Sequence, residues 1–173
     1  MYINDNTQEQ KNYYTLKTEL SNKSIPANGA EIIDDVWYLI HTTPKPTYNV
    51  DTQRVVSETP IKTSGSYNEV WSIGDLTQQE IDDKLANDIE NGLNQVDASC
   101  SEYILSYWSG PAQSNASMGL YDQETCELCK TEISTVLADN VTHINTIETL
   151  TSGTEISTYI GSIVRPTISG RVI

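Results

Sequence analysis

Three cysteines are the residues best suited to chemistry in this sequence, and two of them form the pair Cys126-Glu-Leu-Cys129. If the flanking segments fold back about a midpoint near residue 115, Cys100 lies about as far before the turn as Cys129 lies after it. All three thiols then approach one another, and three cysteines with a fourth ligand make a zinc site. Each, however, falls on the apolar stripe of a helical pattern, where cysteine is among the most buried residue types. His143 stands several turns farther along and His41 lies in a strand pattern, so neither is an evident fourth ligand. Buried free thiols are therefore the stronger reading, with a metal site and a disulfide as the alternatives. An odd and small number of cysteines in a chain of this length favours synthesis in a reducing compartment.

Two carboxylate pairs, Asp34-Asp35 and Asp82-Asp83, have the makings of an acid and base or of oxygen ligands for calcium. Their positions favour a structural role. The first pair precedes a strand pattern, and the second lies in the opening turns of a helix, where negative charge suits the macrodipole. Trp37, Tyr38, Trp71, Tyr103, Tyr107 and Trp108 offer rings for stacking on sugars, but most fall on core or helix-seam positions. The chain contains no Gly-x-Ser-x-Gly, His-Glu-x-x-His, phosphate-binding loop or calcium loop. No set of residues supplies a nucleophile, a base and an electrostatic stabiliser together. The expectation is a protein that is not an enzyme, with no catalytic, cofactor-binding or metal-binding residue to assign.

The elements around these residues follow from composition and period. At 173 residues the chain suits one domain, or a small domain with a helical appendage. It has no Phe but ten Tyr, so its aromatic surface carries hydroxyls that need partners. A formal charge of −14 argues against a cationic face for nucleic acid or anionic lipid. No run approaches the roughly 18 apolar residues of a membrane span, and the N-terminus does not resemble an export signal.

Residues 1 to 14 are polar and turn-rich and read as an extended or partner-ordered arm. Leu16 and Leu20 allow a short helix. Ile32, Ile33, Val36, Trp37, Tyr38, Leu39 and Ile40 read as one buried strand, ended by Thr42-Thr43-Pro44. Further strands are expected over 53–61 and 66–73, after turns at Tyr48-Asn49-Val50-Asp51 and Thr63-Ser64-Gly65. Three strands at this spacing read as an antiparallel meander. Pro60 marks the second strand's end or a sheet edge, and Trp71 is expected to cover the core.

Thr77 and Glu80 form a capping box, with Leu76 and Ile81 as a hydrophobic staple. Beyond them Ile81, Leu85, Ile89, Leu93, Val96, Cys100, Tyr103 and Tyr107 trace a helical stripe that Gly110-Pro111 ends. A continuous helix would be about 45 Å long, and a break at Gly92 is the competing reading. Residues 112–119 read as a small-residue loop. Asp122 caps a second long helix through Ile147, although 141–150 is also compatible with a strand. A short helix over 154–161 and an extended tail over 163–173 complete the chain. The fold class expected is α+β: an N-terminal arm and β-meander over 1–75, then a helical hairpin with an extended tail over 76–173.

A series of short motifs runs in order through the first half: Tyr14-Thr15-Leu16, Glu19-Leu20, Ser24-Ile25-Pro26 and Thr43-Pro44-Lys45-Pro46-Thr47-Tyr48-Asn49. It continues with the run from Asp51 to Pro60, then Gly65-Ser66-Tyr67-Asn68-Glu69-Val70-Trp71-Ser72-Ile73, and ends with Asp75-Leu76-Thr77-Gln78-Gln79-Glu80-Ile81. In this series the chain resembles a small family of tailed-bacteriophage proteins, found alone or attached to tail fibres and often labelled tail assembly chaperone-like. The resemblance covers somewhat under half the chain. Ile25 departs from it, since the family usually places an aromatic residue before the proline. The resemblance implies a virion protein made in the bacterial host cytoplasm, in the tail, its fibres or the connector. Its partners would be other virion proteins and further copies of itself, with no nucleic acid and no membrane. A fibre-assembly chaperone absent from the mature particle and a small carbohydrate-binding module are the alternatives.

Overall fold

The first residues of the chain are sheet rather than arm. Strand β1 (Tyr2–Asn4) turns back into β2 (Gln10–Lys11), with Asn4 Oδ1 accepting the N–H groups of Asn6 and Thr7 at 2.9 and 3.0 Å. The computed structural model in which this is seen describes residues 1–21, 23, 31–34 and 36–170. It is α+β and divides into two units, Met1–Leu76 and Thr77–Ile173. The arm expectation failed because Tyr2 and Ile3 are adjacent, whereas a half-buried strand announces itself by alternation. Both are buried, one on each face of the sheet. Tyr2 joins Leu16, Ile33 and Trp37 on one, and Ile3 joins Ile40 and Tyr67 on the other. Leu16 comes from helix α1 (Tyr13–Glu19), capped by Asn12, whose side chain accepts from the Thr15 N–H at 2.9 Å.

The run expected as one strand from Ile32 to Ile40 is a hairpin of β3 (Ile32–Ile33) and β4 (Trp37–His41). Asp34 turns the chain at φ 54°, a left-handed conformation that Asp tolerates better than most residues. Strands β5 (Gln53–Thr63) and β6 (Ser66–Asp75) form a long hairpin closed by Ser64 and Gly65, both at positive φ. Two such residues suit the twist of a two-residue hairpin turn.

These strands do not make the antiparallel meander expected. Strand β6 returns between β4 and β5 and runs parallel to β4, pairing Ile40 with Tyr67 and His41 with Asn68, so the order is β2-β1-β4-β6-β5. The proline-rich stretch between β4 and β5 is long enough to carry the chain past the place that β6 later fills. Thr43 secures the arrangement: its hydroxyl donates to the Glu69 carbonyl at 2.8 Å, and its own carbonyl accepts the Trp71 indole N–H at 3.2 Å. Trp71 is thus half-buried beside Thr43, with Lys45 4.9 Å from its ring centroid. Tyr67, not Trp71, supplies the buried aromatic of β6. Pro60 lies at a register shift in edge strand β5, where a missing N–H costs the ladder least.

In the second unit, helix α2 (Gln78–Tyr107) starts at the capping box: the Thr77 N–H donates to Glu80 Oε2 at 2.8 Å and Thr77 Oγ1 accepts the Glu80 N–H at 3.3 Å. It runs unbroken through Gly92. A Cβ there would lie 2.9 Å from Ile156 Cγ2, so glycine lets helix α5 (Gly153–Ser162) pack closely. Gly110-Pro111 ends α2 as expected but also begins a helix, α3 (Gly110–Ser117), where a loop was expected. Proline fits a first helical turn, Ser109 caps it, and Ala112 and Ala116 bury one face. Helix α4 (Gln123–Ile147), capped by Asp122, stays helical through 141–147. Its Thr135, Thr142 and Thr146 hydroxyls donate to carbonyls four residues back, at 2.9, 3.2 and 2.9 Å. One cluster joins α2, α3 and α4 around Trp108, and a second joins α2, α4 and α5 around Val96, Ile147 and Ile156.

Candidate functional site

The three cysteines do converge. Cys100 from α2 and Cys129 from α4 are buried in one apolar cluster, and Cys126, a turn before Cys129, packs against it half-buried. All three are free thiols, and the Cys126 thiol lies 3.7 Å from the Tyr121 carbonyl. Loss of hydration pushes the thiols of Cys100 and Cys129 above their ordinary values, which withholds the thiolate that nucleophilic or metal chemistry requires. Among the described residues no three His, Cys, Asp or Glu side chains are grouped to hold a metal ion. A groove of about 610 Å³ runs beside the cluster, lined by Gln113, Ser114, Ala116, Cys126, Cys129 and Ile133 among others.

Neither histidine joins the thiols. His41 Nε2 is 2.9 Å from Glu31. His143 Nδ1 is 2.7 Å from the Tyr159 hydroxyl, and its Nε2 is 3.2 Å from Asp139. The described carboxylates of the two pairs have partners of their own. Asp34 is ion-paired to Lys23 at 2.7 Å, and Asp35 lies outside the described residues. Asp82 and Asp83 each accept an amide N–H from the residue four before, Gln78 and Gln79, both at 2.8 Å. Among the aromatic candidates, Trp37 and Trp108 are buried. Tyr38 sits under the Lys62 ammonium, which is 4.0 Å from its ring centroid, and Tyr103 donates to the Pro166 carbonyl at 2.7 Å.

The most organised polar site was not foreseen, and it holds the chain's own extended segment over 163–170. We refer to this segment as the strap. Glu132 of α4 is its anchor. One carboxylate oxygen accepts the N–H and hydroxyl of Ser169, and the other accepts the Gly170 N–H at 2.9 Å and the Trp108 indole N–H at 2.7 Å. Burial pulls this carboxyl upward, but the four hydrogen bonds outweigh it and hold Glu132 below its ordinary value. Ile168 inserts into the Cys100–Trp108–Cys129 cluster. Gly170, at φ 64°, leaves no room for a Cβ, which would meet Tyr107 atoms at 2.6 to 2.9 Å. Upstream, the buried Arg165 guanidinium donates to the Val96 carbonyl at 2.9 Å and reaches Asp139 at 3.4 Å.

Two sequence signals point to this site in retrospect. Glu132 falls three residues after Cys129 and four before Val136, an acidic residue at core-facing spacing. Arg165 is one of only four basic residues after position 76, in the midst of an apolar tail. No family model, curated protein or solved structure matches the chain.

Proposed function

We propose that this chain is a structural, non-catalytic component of a tailed-bacteriophage particle, placed in the tail, its fibres or the connector. It acts there through contacts with other virion proteins. The observation that carries the reading is the ordered series of motifs from Tyr14 to Ile81, which resembles the tail-associated family. The chemistry of the site is compatible with it: the polar side chains organised around Glu132 and Arg165 bind the chain to itself.

The surface supports an assembly role. Between positions 77 and 173 the chain has 14 acidic residues against four basic ones, yet it leaves Leu128, Leu137 and Val141 of α4 and Val164 of the strap exposed. Leu137 and Val141 are four apart and adjacent on the helix surface. An apolar ridge on an acidic unit suits a partner with an apolar face rimmed by Lys and Arg.

Mass spectrometry of washed, purified particles tests the reading, and a fixed copy number per particle is the expected result. Absence from particles together with recovery in complexes with immature fibre protein would establish the assembly-chaperone alternative instead.

A further inference from the structure

We propose that one flank of α4 is a self-pairing surface. Two copies of the chain join α4 against α4, antiparallel, about a two-fold axis beside residue 139, with Lys130 of each copy opposite Glu148 of the other. The inference rests on the assembly reading and deepens it: the partner of the Leu137–Val141 ridge is a second copy, and the basic rim is Lys130.

Lys130, Ile133, Leu137, Val141, Ile144 and Glu148 follow one another at steps of 3, 4, 4, 3 and 4, a spacing that places them on one face of a helix. Glu148 keeps the phase because, as the C-cap, it still has helical backbone at φ −63° and ψ −15°. The positions that α4 buries within the chain, Cys129, Val136, Asn140 and Ile147, form a separate face beside this one. The second face is left largely open. Leu137 and Val141 are 49% and 54% exposed, and Ile133 and Ile144 are half-buried.

Its two ends are oppositely charged and unclaimed. Among the described residues neither the Lys130 ammonium nor the Glu148 carboxylate has a hydrogen-bond or ion-pair partner, and both residues are exposed. Other charges of the helical unit are committed: Glu132 and Asp139 to the strap, and Lys84 to Asp88. Lys130 is the one Lys or Arg of α4.

Pairing about residue 139 sets Leu137 against the second copy's Val141 on both sides of the axis. It brings Ile133 within one residue of the second copy's Ile144, and Lys130 against Glu148 closes each end. Steps of 3 and 4 are those of a helix seam. Sliding the second copy by about one turn sets Lys130 against Ile144 in one direction and Ile133 against Glu148 in the other. A parallel pairing in register sets Lys130 against Lys130 and Glu148 against Glu148. The antiparallel register about residue 139 is thus the one that matches the apolar positions and the charges together. At the α3 end, the groove of about 610 Å³ is lined by both Lys130 and Ile133, and there it receives the second copy's Ile144 and Glu148. Leu128, nine residues before Leu137, lies on the opposite side of α4 and remains, with Val164, for other virion proteins.

From Lys130 to Glu148 the seam is about 27 Å long. One helix pair of that length buries no more than the ~1,200 Å² at the low end of stable interfaces, so the pair is weak in dilute solution and forms where copies are concentrated.

The test is sedimentation equilibrium of the full chain over a concentration series reaching ~1 mM, the weak end of specific association, with circular dichroism confirming that each variant folds. Lys130→Glu and Glu148→Lys are each expected to raise the dimer dissociation constant roughly tenfold, because two matched pairs become like-charged. The double variant Lys130→Glu/Glu148→Lys restores it, since both pairs are reversed. Independently, in a Cys126→Ser background, a mixture of Lys130→Cys and Glu148→Cys chains is linked by a short bis-maleimide, while neither chain is linked to itself, because like positions lie about 27 Å apart across this register. A chain that stays monomeric throughout, a dimer indifferent to both single charge changes, or linkage of either variant to itself equal to that of the mixture overturns the proposal. If such a result accompanies a chain found in washed particles, this interface fails alone. If the pairing is seen but particles lack the chain, the virion reading fails alone.

Discussion

Glu132 is the residue whose removal should most clearly separate the strap from the helices. Trp108 has no exposed surface, so once the carboxylate is gone its indole N–H has no water to turn to, an orphaned donor worth about 1–3 kcal/mol. The strap donors from Ser169 and Gly170 lie nearer the surface and return to solvent at about 0.5 kcal/mol each. Glu132→Ala should therefore destabilise the helical unit by about 2–4 kcal/mol. Glu132→Gln should cost about half that, since one amide N–H₂ must face donors. Urea unfolding at pH 7, followed by the helical circular dichroism signal, measures both, because that signal comes almost wholly from α2 to α5. The pH dependence follows from the lowered Glu132 carboxyl. The stabilisation is complete above the ordinary value of 4.5 and is lost as pH falls through the lower folded value. The gap between wild type and Glu132→Gln should close over that acid range, while carboxylates common to both cancel. A Gln variant with wild-type stability at pH 7, or a gap unchanged down to pH 3, would refute the account.

Gly92→Ala should destabilise by about 1–3 kcal/mol despite a gain of about 1 kcal/mol in helix propensity, because the new methyl meets Ile156 Cγ2. In an Ile156→Ala background the same change should be neutral or favourable, which chemical denaturation of the two pairs will show. For the thiols, a neutral alkylating reagent should label Cys126 first and Cys100 and Cys129 slowly, with all three fast in denaturant. Purified protein is expected to hold well under one zinc per chain; stoichiometric zinc lost on Cys126→Ser would reverse the thiol assignment.

Local chemistry made the helices legible. The Thr77–Glu80 box, the Asp122 cap and the stripe from Leu85 to Cys100 each act within a few residues, and each appears where the pattern placed it. What stayed hidden depends on partners distant in sequence. The β4–β6 pairing joins His41 to Asn68 across the intervening β5, and no period within either strand encodes a parallel neighbour. The shared burial of the cysteines could be read because all three lie on stripes; the spacing of Glu132 marks it as core-facing in the same way, but not what it binds, since its strap partners stand 37 and 38 residues away. The misreading of residues 112–119 as a loop has a different cause: a Gly-Pro pair ends one helix and starts the next equally well, and Ala112 and Ala116 are too small to register as an apolar stripe.

The strap also imposes an order on biosynthesis. Residues 163–170 leave the ribosome after every helix that they fasten, so α2, α3 and α4 can meet while the seat of Ile168 is still empty. At ~5–20 residues per second, the interval between completion of α4 and arrival of the strap is on the order of seconds. During that interval Trp108, Cys100 and Cys129 lack part of their cover. A chain stopped short of Ile163 would be held permanently at this stage, with its helices formed and its seam open to oxidants and to other apolar surfaces.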